Sequence, residues 1–111
     1  GMYDLKPVRL SSRNTYLHLD DAAVERNSAL RNLPDSMPPM IMAYGGREQV
    51  EFQRHSREFA ETLQARGDDC QLFFYDGNNH FDMAQEVANL ASPLTTAAIR
   101  MMGLHPDTTP T

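Results

Sequence analysis

Cysteine is almost missing from this chain: Cys70 stands alone, which excludes an internal disulfide and fits a reducing compartment, so cytoplasmic residence is expected. The thiol reads as a small buried hydrophobe at a strand start. Long apolar runs are missing too. None approaches the roughly 18–20 residues needed to span a bilayer, and no charged stretch leading into an apolar one marks a signal peptide. No membrane partner is expected. Clustered basic charge is the third absence. The Lys and Arg residues number 10 against 15 Asp and Glu, for a net charge of -5, and they are scattered beside acids. Binding of nucleic-acid phosphates depends on grouped cations, so the charge pattern argues against nucleic acid. Metal-ligand spacing is also wanting. His18, His55, His80 and His105 form no H-x-x-x-H pair and the lone cysteine adds no ligand, so neither a metal nor another cofactor is expected. Gly45-Gly46 lacks the downstream Gly-Lys-Ser/Thr of a phosphate loop.

What is present suits one compact α/β unit. A length of 111 residues with 41% hydrophobic content suffices for a single core. Residues 4–10 read as a turn or short helix followed by a loop, with His18-Leu19-Asp20 as an exposed loop edge. Asp20 reads as the N-cap of a helix reaching about Leu30. A proline-rich connector then leads to Met40-Ile41-Met42-Ala43-Tyr44, an apolar run closed by two glycines. That pattern predicts a strand buried on both faces, as parallel sheets require, and Cys70-Gln71-Leu72-Phe73-Phe74-Tyr75 has the same character. Between them, residues 49–66 carry Phe52, Ser56, Phe59, Ala60 and Leu63 on one helical stripe, with Gly67 as the stop and His55 as a surface or half-buried neighbour. Strand, helix and strand make a βαβ unit. Asn79 and the Ser92-Pro93 pair then start two further helices, over 81–90 and from 93 to about 102. Residues 105–111 read as a disordered tail.

The stretch Asp76-Gly77-Asn78-Asn79-His80-Phe81 raises the functional question, because turn chemistry accounts for the Asp-Gly and an Asn but not for the histidine. Glu48 lies four residues past the first strand and His80 five past the second. Parallel neighbours would bring both out at one sheet edge, where open α/β sheets build their sites. A carboxylate there can bond one imidazole nitrogen and fix the tautomer while the other nitrogen takes a proton. Each residue also has a plainer explanation. Glu48 at a helix start is favourable with the helix dipole, and a single loop histidine commonly has no chemical role. Glu51 and Asp76 are alternative carboxylates for the same partner. No G-x-S-x-G occurs, and Ser11, Ser12, Ser28, Ser36, Ser56 and Ser92 sit in loops, in helices or at a cap, so the chain shows an acid and a base without a nucleophile.

The segments Gly1-Met2-Tyr3-Asp4-Leu5-Lys6-Pro7, Tyr44 to Ser56 and Gly77-Asn78-Asn79-His80-Phe81-Asp82 resemble the C-terminal portion of α/β-hydrolases, in the esterase/lipase and arylformamidase (kynurenine formamidase-like) branch. Asn27-Ser28-Ala29 resembles that group's Ser-Pro element. Gln49, Ala29 and His55 depart from the commoner Ser, Pro and Gln. The resemblance covers nearly all of residues 1 to about 104. It implies the C-terminal segment of one α/β-hydrolase domain, with Glu48 as the triad acid and His80 as the triad histidine.

The resemblance also implies that the serine and oxyanion loop belong to a segment preceding Gly1, leaving the chain alone inactive, whether it arises by processing, proteolysis or design. The substrate implied is a small carboxylic ester or an aryl-formamide. A different class of function stays open: a non-catalytic binding or assembly module derived from a hydrolase half. Strands 40–44 and 70–75 would leave an unpaired sheet edge. Its expected cover is the N-terminal hydrolase segment, as a bound chain, or a symmetric copy in a homo-oligomer.

Overall fold

The computed structural model describes residues 1–105, so the expected tail beyond His105 lies outside the described residues. Three short helices, α1 (Lys6–Arg9), α2 (Asn14–Leu17) and α3 (Asp21–Asn27), precede a 3-10 turn over Ala29–Arg31. Strand β1 (Met40–Gly45), helix α4 (Val50–Ala65) and strand β2 (Cys70–Tyr75) follow, and helices α5 (His80–Ala88) and α6 (Pro93–Met101) close the order. The protein is thus mixed α/β, with a small parallel sheet. Met40 pairs with Cys70 and the register runs unbroken to Gly45 and Tyr75, the parallel neighbours expected from the two apolar runs.

Local chemistry explains where the helices begin and end. The Asp20 carboxylate accepts from the Ala23 N–H at 2.7 Å, which fixes the start of α3. That helix stops at Asn27, sooner than the expected Leu30, and α2 forms where a loop was expected. Helix α4 stops in a Schellman motif, with Gly67 at φ +87° and the N–H groups of Gly67 and Asp68 donating to Gln64 and Leu63. Helix α6 is capped differently from expectation. The Ser92 hydroxyl bonds the Tyr75 hydroxyl at 2.7 Å, and it is Tyr75 that accepts the Leu94 N–H at 3.1 Å. A strand side chain therefore caps the last helix.

The core lies between the sheet and α4, where Met42, Phe59, Ala60, Leu63 and Cys70 are buried together. Burial pushes the Cys70 thiol up from its usual range, which keeps it protonated and unreactive. Two expectations are corrected here. The strands are not buried on both faces: Gln71 is exposed and Phe74 keeps 52% of its surface in water, because the helices cover the described two-strand sheet incompletely. Phe52 leaves the core stripe, half-buried, and its ring goes elsewhere, as described below. Among the described residues neither outer strand edge carries another strand.

The N-terminal segment is sewn onto α4 and the 3-10 turn through buried polar groups. The His55 Nδ1 accepts from the backbone N–H of Tyr3 at 3.0 Å and of Asp4 at 3.3 Å, while the Ser28 hydroxyl accepts from Leu5 at 2.9 Å. The Tyr3 ring stacks on Phe59 with centroids 4.4 Å apart. His55 is only 3% exposed, which corrects the surface or half-buried position expected from its neighbours. Sequence spacing could not reveal that a distant backbone supplies its partners.

Two predictions follow from this packing. Phe59→Ala removes the centre of the α4–sheet contact and should lower unfolding free energy by about 3–5 kcal/mol in urea melts. His55 ionisation is pushed down by burial and then by the Arg54 guanidinium, against the opposing charges of Glu51, Asp4 and Glu58. Only the unprotonated Nδ1 accepts the two N–H groups, so the folded state holds the neutral ring. Its stabilisation is complete above the ordinary histidine value of about 6.5 and is lost as pH falls below it through the lower folded value. His55→Leu should cost about 1–3 kcal/mol near neutral pH and flatten that acid-side slope in urea midpoints.

Candidate acid–histidine site

Two turns built side by side hold the site. Strand β1 leaves the sheet through Gly45 and Gly46, and β2 leaves through Asp76, Gly77 and Asn78. The Gly46 N–H donates to Tyr75 at 2.9 Å and the Arg47 N–H to Asn78 at 3.0 Å, which extends the strand pairing into the turns. A Cβ on Gly45 would stand 2.2 Å from the Asn78 carbonyl oxygen, and one on Gly46 2.6 Å from that of Asp76. No side chain fits either gap. The two glycines are there because two backbones touch.

Glu48 sits in the turn after β1 with its carboxylate folded back. One oxygen accepts the Gly45 N–H at 2.7 Å and the other meets His80 Nδ1 at 2.6 Å. Gln53 steadies the same turn, donating to the Glu48 carbonyl at 2.8 Å and to that of Gly46 at 3.3 Å. The Glu48 side chain is 7% exposed while that of His80 is 58% exposed, so a buried acid holds an accessible base. A carboxylate oxygen in its ionised form only accepts, so the proton of the short bond resides on Nδ1 and proton exchange falls to Nε2. Nε2 has no protein partner among the described residues.

Helix α5 aims the ring. Asn79 caps it, accepting from Phe81 and Asp82 at 2.9 Å each, and Asp82 returns a bond to the Asn79 N–H at 2.9 Å, completing a capping box. His80 is therefore the first helical residue, one position earlier than the expected start of the helix. The Phe52 ring stacks on the imidazole at 4.9 Å and Phe81 meets it edge-on at 5.9 Å. This is where Phe52 went. The other carboxylate considered beside it, Glu51, is engaged with Arg54 at 2.5 Å and lies 3.5 Å from His55, so it does not serve His80. Asp76 contributes its backbone to the glycine contact, and no hydrogen bond joins its carboxylate to His80.

The imidazole opens into a cleft of about 730 Å³. One wall is the N-terminal segment, through Met2, Pro7 and Val8, and the other is Phe52 and Phe81. Ser11, Arg13 and Arg47 add polar groups to the rim. The sequence spacing brought Glu48 and His80 together but missed Phe52, Gln53 and the N-terminal wall. For Phe52 and Gln53 a signal existed, since they lie one helical turn past Glu48. For residues 2–13 there was none, because their placement depends on His55 and Ser28. Among the described residues no group of His, Cys, Asp and Glu is arranged to hold a metal.

No family model, no curated protein and no solved structure matches this chain.

The glycine contact makes the site vulnerable at a distance from its polar atoms. Gly45→Ala should force the 76–78 turn away, at a cost of about 1–3 kcal/mol as for other overpacked positions. The Nδ1–H···carboxylate bond should give a downfield proton resonance in NMR spectra of the native protein. Glu48→Ala should abolish that resonance, and Gly45→Ala should broaden or shift it in protein that remains folded by circular dichroism.

Proposed function

We propose that this chain supplies the acid and the histidine of a serine hydrolase of the α/β-hydrolase fold, acting on a small carboxylic ester or aryl-formamide. The observation that carries this reading is the 2.6 Å contact between a buried Glu48 and an accessible His80 at the carboxyl ends of adjacent parallel strands. In this reading His80 Nε2 takes the proton of an attacking serine hydroxyl and returns it to the leaving group. Glu48 holds the Nδ1–H tautomer and balances the imidazolium between those events. The apolar walls of the cleft receive the acyl or aryl part of the substrate.

The serine is proposed to come from a hydrolase segment outside this sequence, in the same or a partner polypeptide. The serines of the described chain are otherwise engaged or lack motif support. Ser28 and Ser92 are buried in structural bonds, and Ser11, although it lines the cleft, donates its hydroxyl to the Val8 carbonyl at 2.6 Å. A non-catalytic assembly module is the second reading. It is favoured by one feature, the exposure of Phe81, Val87 and Leu90 on and just beyond α5 at 79%, 60% and 76%.

Reconstitution with the complementary hydrolase segment tests the proposal. The isolated chain should not turn over aryl acetates or formanilides, and native mass spectrometry should show a complex that does. In that complex His80→Ala should lower kcat/KM by about 100-fold or more, the range set by general acid–base catalysis, with Glu48→Gln giving an equal or smaller loss. Full turnover by the His80→Ala complex would overturn the assignment. Turnover by the isolated chain that Ser11→Ala removes would place the nucleophile within this sequence.

A further inference from the structure

The cleft lining holds two cations in a protein that is acidic overall. The protein is acidic, at -5, and Arg9, Arg31, Arg54 and Arg66 are each matched by a nearby carboxylate. Arg13 and Arg47 both line the cleft, and among the described residues neither guanidinium has a carboxylate partner, as is true also of Lys6, Arg26, Arg57 and Arg100 elsewhere on the chain. Glu48 lines the same cleft, so the lining sets two cations against one carboxylate. The Glu48 side chain is 7% exposed, with one oxygen on the Gly45 N–H and the other on His80. The polar lining of the cleft is thus two cations and one carboxylate beside the His80 imidazole, with the neutral Ser11, Gln49 and Asn79, set against the apolar wall of Phe52 and Phe81.

We infer that this cleft takes substrates bearing an anionic carboxylate beside an aryl or alkyl group, with Arg13 and Arg47 as the residues that select the charge. The substrate class rests on the reading of His80 as the hydrolytic base, whereas the anion site itself does not. Guanidinium groups suit the task because they stay charged at every working pH and offer paired donors to the two oxygens of a carboxylate. An apolar wall adjoining them receives the uncharged remainder of the ligand. Arg13 and Arg47 are exposed, so a neutral ester of equal size would leave them hydrated and forgo the charge-assisted bonds that a carboxylate gains, which sets the direction of selectivity.

Benzoate and benzamide form a pair of nearly equal shape that differs in charge, and each can be titrated into the full chain while NMR signals of His80 and Phe81 are followed. Benzoate should bind at least about tenfold more tightly than benzamide, the step expected when a hydrogen bond gains a charged partner. The preference should shrink as salt is raised. Arg13→Gln and Arg47→Gln should each weaken benzoate and leave benzamide unchanged, while Arg57→Gln, a charge-matched change on α4 outside the cleft, should alter neither. Equal affinities, no binding of either probe, or benzoate binding that survives both cleft substitutions would overturn the inference. In the reconstituted hydrolase, glutarate hemiesters should be preferred over butyrate esters with the same aryl leaving group, and the preference should fall with either cleft arginine. Benzoate binding through the arginines without any hydrolysis would leave the anion site standing and remove the hydrolase. Hydrolysis with no preference for the hemiester and no dependence on either arginine would do the reverse.

Discussion

The contact between two turns, where Gly45 and Gly46 pass the carbonyls of Asn78 and Asp76 with no room for a Cβ, is the constraint on which the site depends. Parallel pairing of β1 with β2 delivers two chain exits to one edge, but strand pairing alone leaves loops free to splay. The glycines let the backbones remain in contact beyond the last ladder pair, so the register that aligns Gly45 with Tyr75 continues into the turns. Glu48 then needs no long reach. Its carboxylate closes on the Gly45 N–H of its own turn and on the imidazole of the neighbouring one. Sheet register, glycine contact and acid–base geometry are successive consequences of one arrangement.

A second set of buried polar groups builds the other wall of the cleft. The N-terminal segment is fixed by the Tyr3 ring on Phe59 and by donors that must find acceptors: Tyr3 and Asp4 on His55, Leu5 on Ser28. Such contacts add little net stability when made and cost much when broken, so they specify a position more than they strengthen the fold. The position matters because Met2, Pro7 and Val8 face the same cleft as His80. Protonation of His55 removes the acceptor, which couples the cleft wall to acid through a residue that touches nothing in the site.

Much of this was legible in the sequence where local rules decide. The two apolar runs, the stripe of α4, the Gly67 stop and the Asn79 cap each follow from period, propensity or capping chemistry, and Glu48 and His80 follow from their offsets past the strands. What stayed hidden depends on partners far along the chain. His55 looked like a surface or half-buried residue because its acceptor role serves residues 3 and 4. Phe52 fitted the core stripe by spacing, yet the first turn of α4 stands at the mouth of the sheet edge, where an imidazole replaces the core as its neighbour. Ser92 had the cap signature, but a tyrosine from β2 took over the capping bond. Two-sided burial of the strands failed for a related reason: the apolar pattern records what the strands can bury, and the described sheet and helices offer too little to cover them.

The Glu48–His80 pair is poorly explained as a device for stability. Exposed ion pairs contribute about 0–1 kcal/mol, and withdrawing a carboxylate from water works against even that unless its bonds are restored. Here the acid is the buried partner and the base the exposed one, so desolvation falls on Glu48 while the benefit of the contact is diluted at His80. The location compounds the conflict. His80 is the first residue of α5, at the positive end of a helix dipole, where an acidic side chain is favoured and an imidazolium is not. Asp82 already supplies the acid that the helix start requires. A sequence optimised for folding would place a polar neutral residue at position 80 and leave Glu48 in solvent. Local rules broken together at one sheet edge, around an imidazole stacked on Phe52 and lining an open cleft, are the pattern that the proposed function would account for. What the arrangement provides is a fixed Nδ1 proton and a fixed ring direction, the properties that the proposed proton transfer would use.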